Sequence, residues 1–518
     1  MPETVFIDLP PRQAADPEMI RRSLMHATGR PIADGRFVIV RRSIDARRRS
    51  IRVNLGIRVY ADGETAIAQS PVFAYRDVHA AEVVVIVGAG PAGLFAALRL
   101  LELGLKPVVI ERGKPVGTRR RDVAALNRRG LLNGESNYAF GEGGAGTFSD
   151  GKLYTRSTKR GDCRRVLHRF RQHGADDAIL VDAHPHIGSN RLPEIVSAMR
   201  ATVEAHGGEI HFEQNVVELS IAGGCATGVV LNDGSRIHGR AVVLSSGHSA
   251  RDVYEMLHRQ GVALQAKPFA MGVRVEHPQR LIDRIQYHGR ERGDHLPAAA
   301  YRLVQQVEGR GVYSFCMCPG GFIVPASTAD DALVVNGMSF SRRHSPFANA
   351  GIVVEIRTDD LPDLKTAGPL SGLNLQRTLE RAAFSSGGGK MVAPAQRLAD
   401  FVNHRRSADL PTCSYPPGVV ASPLHQWLPE PIRRRLQVAF KSFDRRMKGY
   451  LTNEAVVVAM ESRTSSPVRI PRDPTTLQHI SVKGLFPCGE GAGYAGGIVS
   501  SALDGERIAG AVATFLTG

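Results

Sequence analysis

A glycine-rich turn between a strand and a helix constrains the fold of this 518-residue chain more than any other feature. The stretch EVVVIVGAGPAGLFAAL (82–98) places Gly88, Gly90 and Gly93 directly after an apolar strand, and Glu111 ends the next one. In this pattern the glycines allow a tight turn, close approach of a pyrophosphate and close helix–strand packing, while the acid binds a ribose. The segment therefore predicts a dinucleotide site on a parallel sheet.

A second glycine-rich turn lies near the other end of the chain, in LFPCGEGAGYAGGIVSSAL (485–503). It also follows an apolar strand, and a helix is expected to begin near Gly497. Two separate nucleotides would need a second complete βαβ unit with a ribose-binding acid, and residues 120–480 contain no such pattern. One extended cofactor held from both sides accounts for both turns.

Net charge and cysteine content restrict the partners and the compartment. The chain has 66 Lys and Arg against 50 Asp and Glu, a net charge of +16, which fits an anionic partner. The Arg triplets at 47–49, 119–121 and 433–435 are interpreted as solvated surface, and nucleic-acid binding is disfavoured because no RNA-binding motif or zinc finger accompanies them. Six scattered cysteines predict neither a disulfide framework nor a metal site. With no signal-peptide pattern and no long apolar stretch, we expect a soluble, cytoplasmic protein without a transmembrane segment.

Several segments carry a resemblance to a known superfamily. The first glycine turn, KPVVIERG (106–113), RAVVLSSGHSARD (240–252) and the C-terminal turn resemble FAD-dependent oxidoreductases of the glutathione-reductase-like superfamily. This chain has Ser245-Ser246-Gly247 where the superfamily usually has Ala-Thr-Gly, and Gly489-Glu490 where it usually has Gly-Asp. The resemblance implies FAD, with the first turn at its adenosine and pyrophosphate and the 489–498 loop at its ribityl chain and flavin.

A narrower resemblance comes from four further segments: ESNYAFGEGGAGTFSDGKLYTR (135–156), HIGSNRL (186–192), FCMCPGGFIVPA (315–326) and ESRTSSPVRIPRD (461–473). Together they are similar to a family of uncharacterised bacterial FAD-dependent dehydrogenases over about residues 80 to 518. The segment RRSIDARRRSIRV (41–53) is similar too. This family implies FAD and leaves the reaction open.

The predicted fold class is α/β, with a discontinuous Rossmann-like FAD-binding domain of the GR2 type. We expect a basic N-terminal α+β module at 1–80, the FAD-binding domain at 81–265 and 465–518, and a β-rich substrate domain with a helical appendage at 266–464. In the first module, MIRRSLMHATG predicts a helix that ends at Gly29, and residues 36–64 predict two strands joined by a basic turn. Strands are expected to dominate 209–247 and 270–360, and helices 373–450.

The residues predicted to contact FAD belong to the glycine turns, the acid after the second strand and the loops that follow later strands. They are Gly88, Ala89, Gly90, Pro91, Ala92, Gly93, Glu111, Arg112, Gly144, Lys152, Val216, Ser246, Gly247, Gly489, Glu490, Gly497 and Ile498. The catalytic residues are unassigned, and three side chains are candidates. Lys152 is the cation of a glycine-rich run, His186 could move a proton, and Arg469 could face the flavin C2=O or an anionic substrate. Each competes with the interpretation as an ordinary loop or surface residue.

These features predict an FAD-dependent oxidoreductase that transfers hydride at flavin N5 to or from a small molecule. The electron donor or acceptor would use the same cavity, because no dedicated NAD(P)H domain is visible. Three alternatives stay open: a flavoprotein monooxygenase, an RNA-modifying flavoprotein, and a non-catalytic protein with structural FAD. Cys316-Met-Cys318 raises a further hypothesis, a dithiol relay beside the flavin, against the alternative of two buried, inert cysteines in a turn.

Overall fold

The computed structural model describes residues 3–33, 35–61, 64, 71–154, 161–361 and 364–518, and within them the chain forms 22 strands and 14 α-helices. The strands are Glu3–Leu9 (β1), Phe37–Asp45 (β2), Arg52–Val59 (β3), Val83–Val87 (β4), Lys106–Ile110 (β5), Glu209–His211 (β6), Val216–Ala222 (β7), Cys225–Leu231 (β8), Arg236–His238 (β9), Ala241–Leu244 (β10), Gln265–Ala266 (β11), Phe269–Pro278 (β12), Val304–Val307 (β13), Arg310–Cys318 (β14), Gly321–Pro325 (β15), Val335–Ser339 (β16), Phe347–Ile356 (β17), Ala393–Arg397 (β18), Val419–Ala421 (β19), Val456–Glu461 (β20), Val468–Arg469 (β21) and Leu485–Pro487 (β22). The helices are Pro11–Ala14 (α1), Pro17–Thr28 (α2), Pro91–Leu103 (α3), Val116–Arg129 (α4), Cys163–Gln172 (α5), Leu192–Ala205 (α6), Arg251–Arg259 (α7), Gln279–Gln286 (α8), Leu364–Ala367 (α9), Ser371–Ser386 (α10), Leu398–Val402 (α11), Leu424–Trp427 (α12), Glu430–Arg446 (α13) and Ile498–Thr517 (α14).

The N-terminal module is an antiparallel sheet in the order β1-β3-β2 with α2 packed on it. Asp16 caps α2 by accepting hydrogen bonds from the N–H groups of Glu18 and Met19, and Gly29 ends the helix at a φ of 67°. The helix and the two strands expected here from the sequence are therefore confirmed. The third strand, β1, was not predicted. The module joins the rest of the chain at Arg42, whose N–H donates to the carbonyl of Val181 at 2.9 Å.

A five-stranded parallel sheet in the order β22-β10-β4-β5-β6 carries the first glycine turn. Its central strand β4 and the neighbouring β10 and β22 are apolar along their whole length because both faces of the sheet are covered there. Val84 and Ile86 pack under α3, α5, α6 and α14 on one face. Val85 and Val87 face the small β7-β8-β9 sheet and α7 on the other. β22 comes from the C-terminal part of the chain, so the two glycine turns follow strands of one sheet.

The large second sheet has seven strands in the order β13-β14-β17-β12-β20-β18-β19, all antiparallel except the β18–β19 pair. Its helices include α13, whose Leu436, Phe440 and Phe443 are buried in the sheet's core. A parallel FAD-type sheet beside a β-rich part and a small α+β module confirms the predicted fold class. β18 and β19 lie inside 373–450, the stretch expected to be helical. They are too short to change the helical pattern of the longer segments around them.

One interpretation of the basic triplets is wrong. Arg119 is fully buried, whereas solvated surface was expected at 119–121. It lies on the face of α4 that also buries Val116, Val123 and Leu126, and this spacing of three to four residues marks the inner side of the helix. No helix among the described residues is long and apolar enough to cross a membrane.

Candidate active site

A cavity of about 860 Å³ is lined by both glycine turns and by residues of the large sheet. Gly88 and Gly90 lie on one side and Gly497 and Ile498 on another. The cavity continues to Cys316 on β14. Its volume is near the upper end of the range of roughly 300–1,000 Å³ that is usual for ligand and cofactor sites.

The first turn is shaped by close backbone contacts that leave no room for side chains. Gly88 has a φ of 103°, and a Cβ atom on it would lie 2.7 Å from the carbonyl oxygen of Ser245. A Cβ atom on Gly93 would lie 2.0 Å from the carbonyl oxygen of Gly88. Ser245, where alanine is usual in the resembling superfamily, donates its hydroxyl to the Val87 carbonyl at 2.9 Å. The turn thus brings the start of α3, with its unpaired N–H groups, to the cavity wall.

Glu111 is buried at the cavity edge and ties three backbone segments together. Its carboxylate accepts hydrogen bonds of 2.9 Å from the N–H groups of Ala89, Gly113 and Gly141. The acid predicted to bind a ribose therefore also holds the glycine turn against the 137–146 loop.

Arg119 fixes the 137–146 loop from below. Its guanidinium donates to the carbonyl oxygens of Asn137, Tyr138, Glu142 and Gly144 at 2.7–3.1 Å. Burial lowers its pKa to about 10, an effect that the nearby carboxylates oppose, so the group remains a cation at neutral pH. Because Gly144 lines the cavity, this buried arginine positions part of the cavity wall.

The second glycine turn is held by a buried ion pair between the 469–473 segment and α14. Arg472 contacts Asp504 at 2.6 and 2.9 Å, and Asp504 also accepts the N–H of Gly489 at 2.8 Å. The Arg472 guanidinium stacks 3.8 Å from the centre of the Tyr494 ring. The C-terminal turn is thereby anchored to the first turns of α14, whose N-terminus faces the cavity.

Glu490 and His248 form a polar pair near this turn. Burial raises the pKa of Glu490 to about 7, against the opposing effect of Lys267. Burial also lowers the pKa of His248 to about 4. The 3.7 Å contact between His248 Nδ1 and Glu490 Oε1 therefore joins a neutral imidazole to an acid that is half ionised near neutral pH.

Lys152 meets two cysteines at the far end of the cavity. Its Nζ lies 3.7 Å from the Sγ atoms of both Cys316 and Cys318, and 3.2 Å from Asp150. Arg343 binds the same aspartate at 2.6 Å. Although burial opposes it, the neighbouring sulfurs and Asp150 raise the pKa of Lys152 well above its usual range. The cluster thus joins the glycine-rich loop at 141–152 to β14 of the large sheet.

Most of the residues predicted to contact FAD line this cavity. They are Gly88, Gly90, Pro91, Ala92, Glu111, Arg112, Gly144, Lys152, Val216, Ser246, Gly247, Glu490, Gly497 and Ile498. Ala89, Gly93 and Gly489 do not line it and instead support the two turns.

Two of the three catalytic candidates lie outside the cavity lining. His186 is bonded through Nε2 to the carbonyl of Ser341 at 3.0 Å. Arg469 is exposed, with its guanidinium 5.6 Å from the Tyr494 ring. Lys152 alone of the three reaches the cavity. The last two residues of the 135–156 segment lie outside the described residues.

Three buried side chains that shape the site were not singled out from the sequence: Arg119, Arg274 and Asp504. Arg274 is fully buried, pairs with Glu461 at 2.7 Å, and its guanidinium lies 3.5 Å from the Cys316 carbonyl. Arg274 lies in the run FAMGVRVEHP, which forms an almost entirely buried strand. A charged side chain inside such a run was the sequence feature that could have identified it. The burial of Arg119 could have been predicted from its helical spacing relative to Val116 and Val123. No comparable pattern in the sequence marks Asp504.

The arrangement fits FAD. The two turns face one cavity, and there is open space at the second turn and beside Gly247, since a Cβ atom on Gly496, Gly497 or Gly247 would meet no atom within 4 Å. A pyrophosphate requires close backbone approach and helix N-termini, and both are present at α3. Apolar surface for a flat ring system is present too, since Phe140 and Val216 line the cavity, and the Arg112 guanidinium lies 4.3 Å from the centre of the Phe140 ring.

Comparisons with known proteins agree with this geometry. Residues 81–234 match a family model described as an FAD binding domain, residues 268–464 match one described as "FAD-dependent protein, C-terminal domain-like", and residues 1–60 match a domain of unknown function. An uncharacterized protein from Clostridium beijerinckii is 41% identical over 493 residues, which is 92% of this chain and 91% of that protein.

Similar solved structures include the open conformation of a flavocytochrome c3 fumarate reductase, which is 13% identical over 85% of this chain and 79% of that chain, with a TM-score of 0.35. The flavin-dependent brominase Bmp2 is 14% identical over 84% and 80%, with a TM-score of 0.34. CtdE in complex with FAD is 11% identical over 84% and 88%, with a TM-score of 0.31. FAD is the cofactor of this protein, and the chain belongs, together with its Clostridium beijerinckii relative, to a family of uncharacterised FAD-dependent proteins.

Proposed function

We propose that the protein is an FAD-dependent oxidoreductase that transfers hydride between flavin N5 and a small substrate. The observation that carries the proposal is the continuity of the cavity. The cavity extends past the two glycine turns to the side chains of β14. This additional space is more than the cofactor loops alone would need. FAD, when bound, supplies hydride chemistry at N5.

The end of the cavity at β14, where we place the substrate, combines polar side chains with apolar ones such as Leu303 and Phe315. Tyr313, Ser314 and Arg302 line it, and Arg302 is exposed. These groups offer hydroxyl and guanidinium donors to a small molecule with carbonyl or carboxylate oxygens. A small molecule, rather than a nucleic acid, is the substrate class that such a concave pocket favours.

The electron donor or acceptor is proposed to enter the same cavity. Among the described residues, parallel strand pairing outside the FAD-type sheet is limited to β18–β19 and isolated bridges. A second dinucleotide-binding βαβ unit would require more than this. The donor and the substrate would therefore bind in turn.

Anaerobic stopped-flow absorbance on FAD-loaded protein tests the proposal. Mixing with NADH, then NADPH, then a panel of small 2-hydroxy and 2-amino acids, is expected to bleach the flavin band with at least one of them. The bleached protein is then mixed with oxygen or with a quinone, and the faster acceptor identifies the second half-reaction. Rapid oxidation by oxygen that also hydroxylates an added compound would instead identify a monooxygenase.

A matched variant separates catalysis from cofactor binding. Lys152→Met leaves both glycine turns and their FAD contacts intact, so it is expected to retain FAD and to lower the rate of bleaching. The exposed control Glu291→Gln is expected to match the unmodified protein. If dithionite bleaches the flavin but no donor does so and no acceptor restores it faster than buffer, FAD is structural and the proposed function is wrong.

A further inference from the structure

The Cys316–Cys318 pair stands at the junction of the two domains. Cys316 is partly exposed and lines the FAD cavity, while Cys318 is fully buried behind it. The Cys318 thiol donates to the Cys316 carbonyl oxygen at 3.3 Å, and Lys152 Nζ lies 3.7 Å from both sulfurs. The first sulfur thus faces the cofactor cavity, and the second lies behind it. In thiol–disulfide exchange, these are the positions of an attacking and a resolving thiol.

The backbone at Cys316 has a strained conformation that favours close approach of the two cysteine side chains. Cys316 has a φ of 44°, in the left-handed region that non-glycine residues rarely adopt. The β14–β17 register is irregular between Phe315 and Cys318, so the strand bends there. Residues two apart in a regular strand are about 6.6 Å apart, near the upper limit of about 6.8 Å for a disulfide. A local bend at this position is therefore suited to bringing the two sulfurs together.

The surrounding charges favour a thiolate on Cys316. The hydrogen bond from Cys318 lowers the pKa of the Cys316 thiol well below its usual range, against burial and with the help of Lys152 and Arg274. The same contact and burial raise the pKa of Cys318. The charged and titratable groups facing Cys316 are Lys152, Asp150, Arg274, Glu461, Glu490 and Cys318. Both shifts favour a thiolate on Cys316 and a proton on the buried Cys318.

We infer that Cys316 and Cys318 are a redox-active dithiol that exchanges two electrons with FAD, with Lys152 holding the Cys316 sulfur. This inference rests on the proposed function and deepens it. In the oxidation step the two sulfurs give two electrons and the Cys318 proton to FAD as the Sγ–Sγ bond forms. In the reverse step that bond breaks, and the reduced cofactor supplies the electrons and the proton.

The substrate class that such a pair selects is a small disulfide. The Cys316 thiolate attacks one substrate sulfur, a mixed disulfide forms on Cys316, and the other half leaves as a thiolate. The Cys318 sulfur, which gives its proton to that leaving thiolate, then attacks Cys316 Sγ, and the second half of the substrate leaves as a thiolate. The enzyme disulfide that remains returns to the dithiol with the two electrons of the reduced cofactor.

An electron count on FAD-loaded protein tests the inference without any turnover assay. Protein oxidised with diamide is titrated anaerobically with dithionite, and the 315–326 peptide is mapped by mass spectrometry before and after. The unmodified protein and the control Cys225→Ser are expected to consume one more dithionite equivalent than Cys316→Ser or Cys318→Ser. The Cys316–Cys318 disulfide should disappear in FAD-loaded protein and persist over the same time without FAD.

The role of Lys152 is tested in a Cys318→Ser background, where a mixed disulfide on Cys316 cannot resolve. Hydroxyethyl disulfide is the probe, and the rate of adduct formation at neutral pH is measured by intact mass. Replacing Lys152 by Met is expected to lower this rate about tenfold, because a cation this close lowers a thiol pKa by about one unit or more. Lys152→Arg should retain most of the rate.

Equal dithionite uptake by the unmodified protein and both serine variants would overturn the inference, as would a disulfide that survives complete bleaching of the flavin. Neither result would touch the proposed function, which depends on bleaching by an organic donor. Conversely, a flavin that no donor bleaches would refute the proposed function while the electron count still reports on the cysteine pair.

Discussion

Gly93 is important to the site because it has no side chain. A Cβ atom there would lie 2.0 Å from the Gly88 carbonyl and 2.9 Å from Ser245 Oγ. Neither neighbour can move freely, because Gly88 forms the turn and Ser245 is bonded to it. The close approach of α3 to β4 is what places the helix N-terminus at the cavity wall.

Gly93→Ala is therefore expected to weaken FAD binding at least tenfold and to lower the free energy of unfolding by about 1–3 kcal/mol, as overpacking does. Fluorescence titration of FAD and urea unfolding measure the two effects. Gly117→Ala is the matched control, since a Cβ atom at this position in α4 meets nothing within 4 Å. That control should keep FAD affinity and gain about 0.5–1 kcal/mol. Unchanged affinity in Gly93→Ala would show that the turn relaxes without cost.

At the scale of elements, the fold and the glycine turns could be predicted because their signals are local. A strand, a turn glycine and a helix are adjacent in sequence, as at 82–98, and backbone geometry dictates their residue types. The supports of the site could not be predicted in the same way. Arg472 and Asp504 are separated by 31 intervening residues, and neither is unusual in its own segment. Their pairing is a product of tertiary packing, which single-sequence patterns do not encode.

The pair of Arg472 and Asp504 makes α14 and the second turn one unit. Asp504→Asn is expected to cost about 3–5 kcal/mol, because it leaves a buried guanidinium without its counter-charge. It should also weaken FAD binding, since Gly489 loses a charged acceptor for its N–H. Thermal unfolding with and without FAD measures both effects.

A double variant separates charge from loop positioning. Arg472→Met with Asp504→Leu removes both charges and should recover much of the lost stability. FAD affinity should stay low, because the Gly489 N–H remains unpaired. Full recovery of FAD affinity in the double variant would show that the ion pair does not position the turn.

At the scale of the whole molecule, the cavity joins segments that are about four hundred residues apart in the chain. The first turn lies at 88–93, the second at 489–498, and β14 lies between them in sequence. A ligand that contacts all three must order them together, and binding stabilises the folded state by about 2.7 kcal/mol when its concentration is 100 times its Kd. Two independent nucleotides would instead act on the two turns separately.

Hydrogen exchange followed by mass spectrometry distinguishes these cases. Addition of FAD alone is expected to slow amide exchange in 88–93, in 489–498 and in 312–318 with one common dependence on FAD concentration. The N-terminal sheet of β1, β2 and β3 is the internal control, since none of its residues lines the cavity, and its exchange should not change. Protection confined to 88–93, or a second midpoint for 489–498, would mean that the two turns hold different ligands. A single midpoint shared by all three segments would mean that one cofactor spans the site and that β14, with its two cysteines, lies within reach of it.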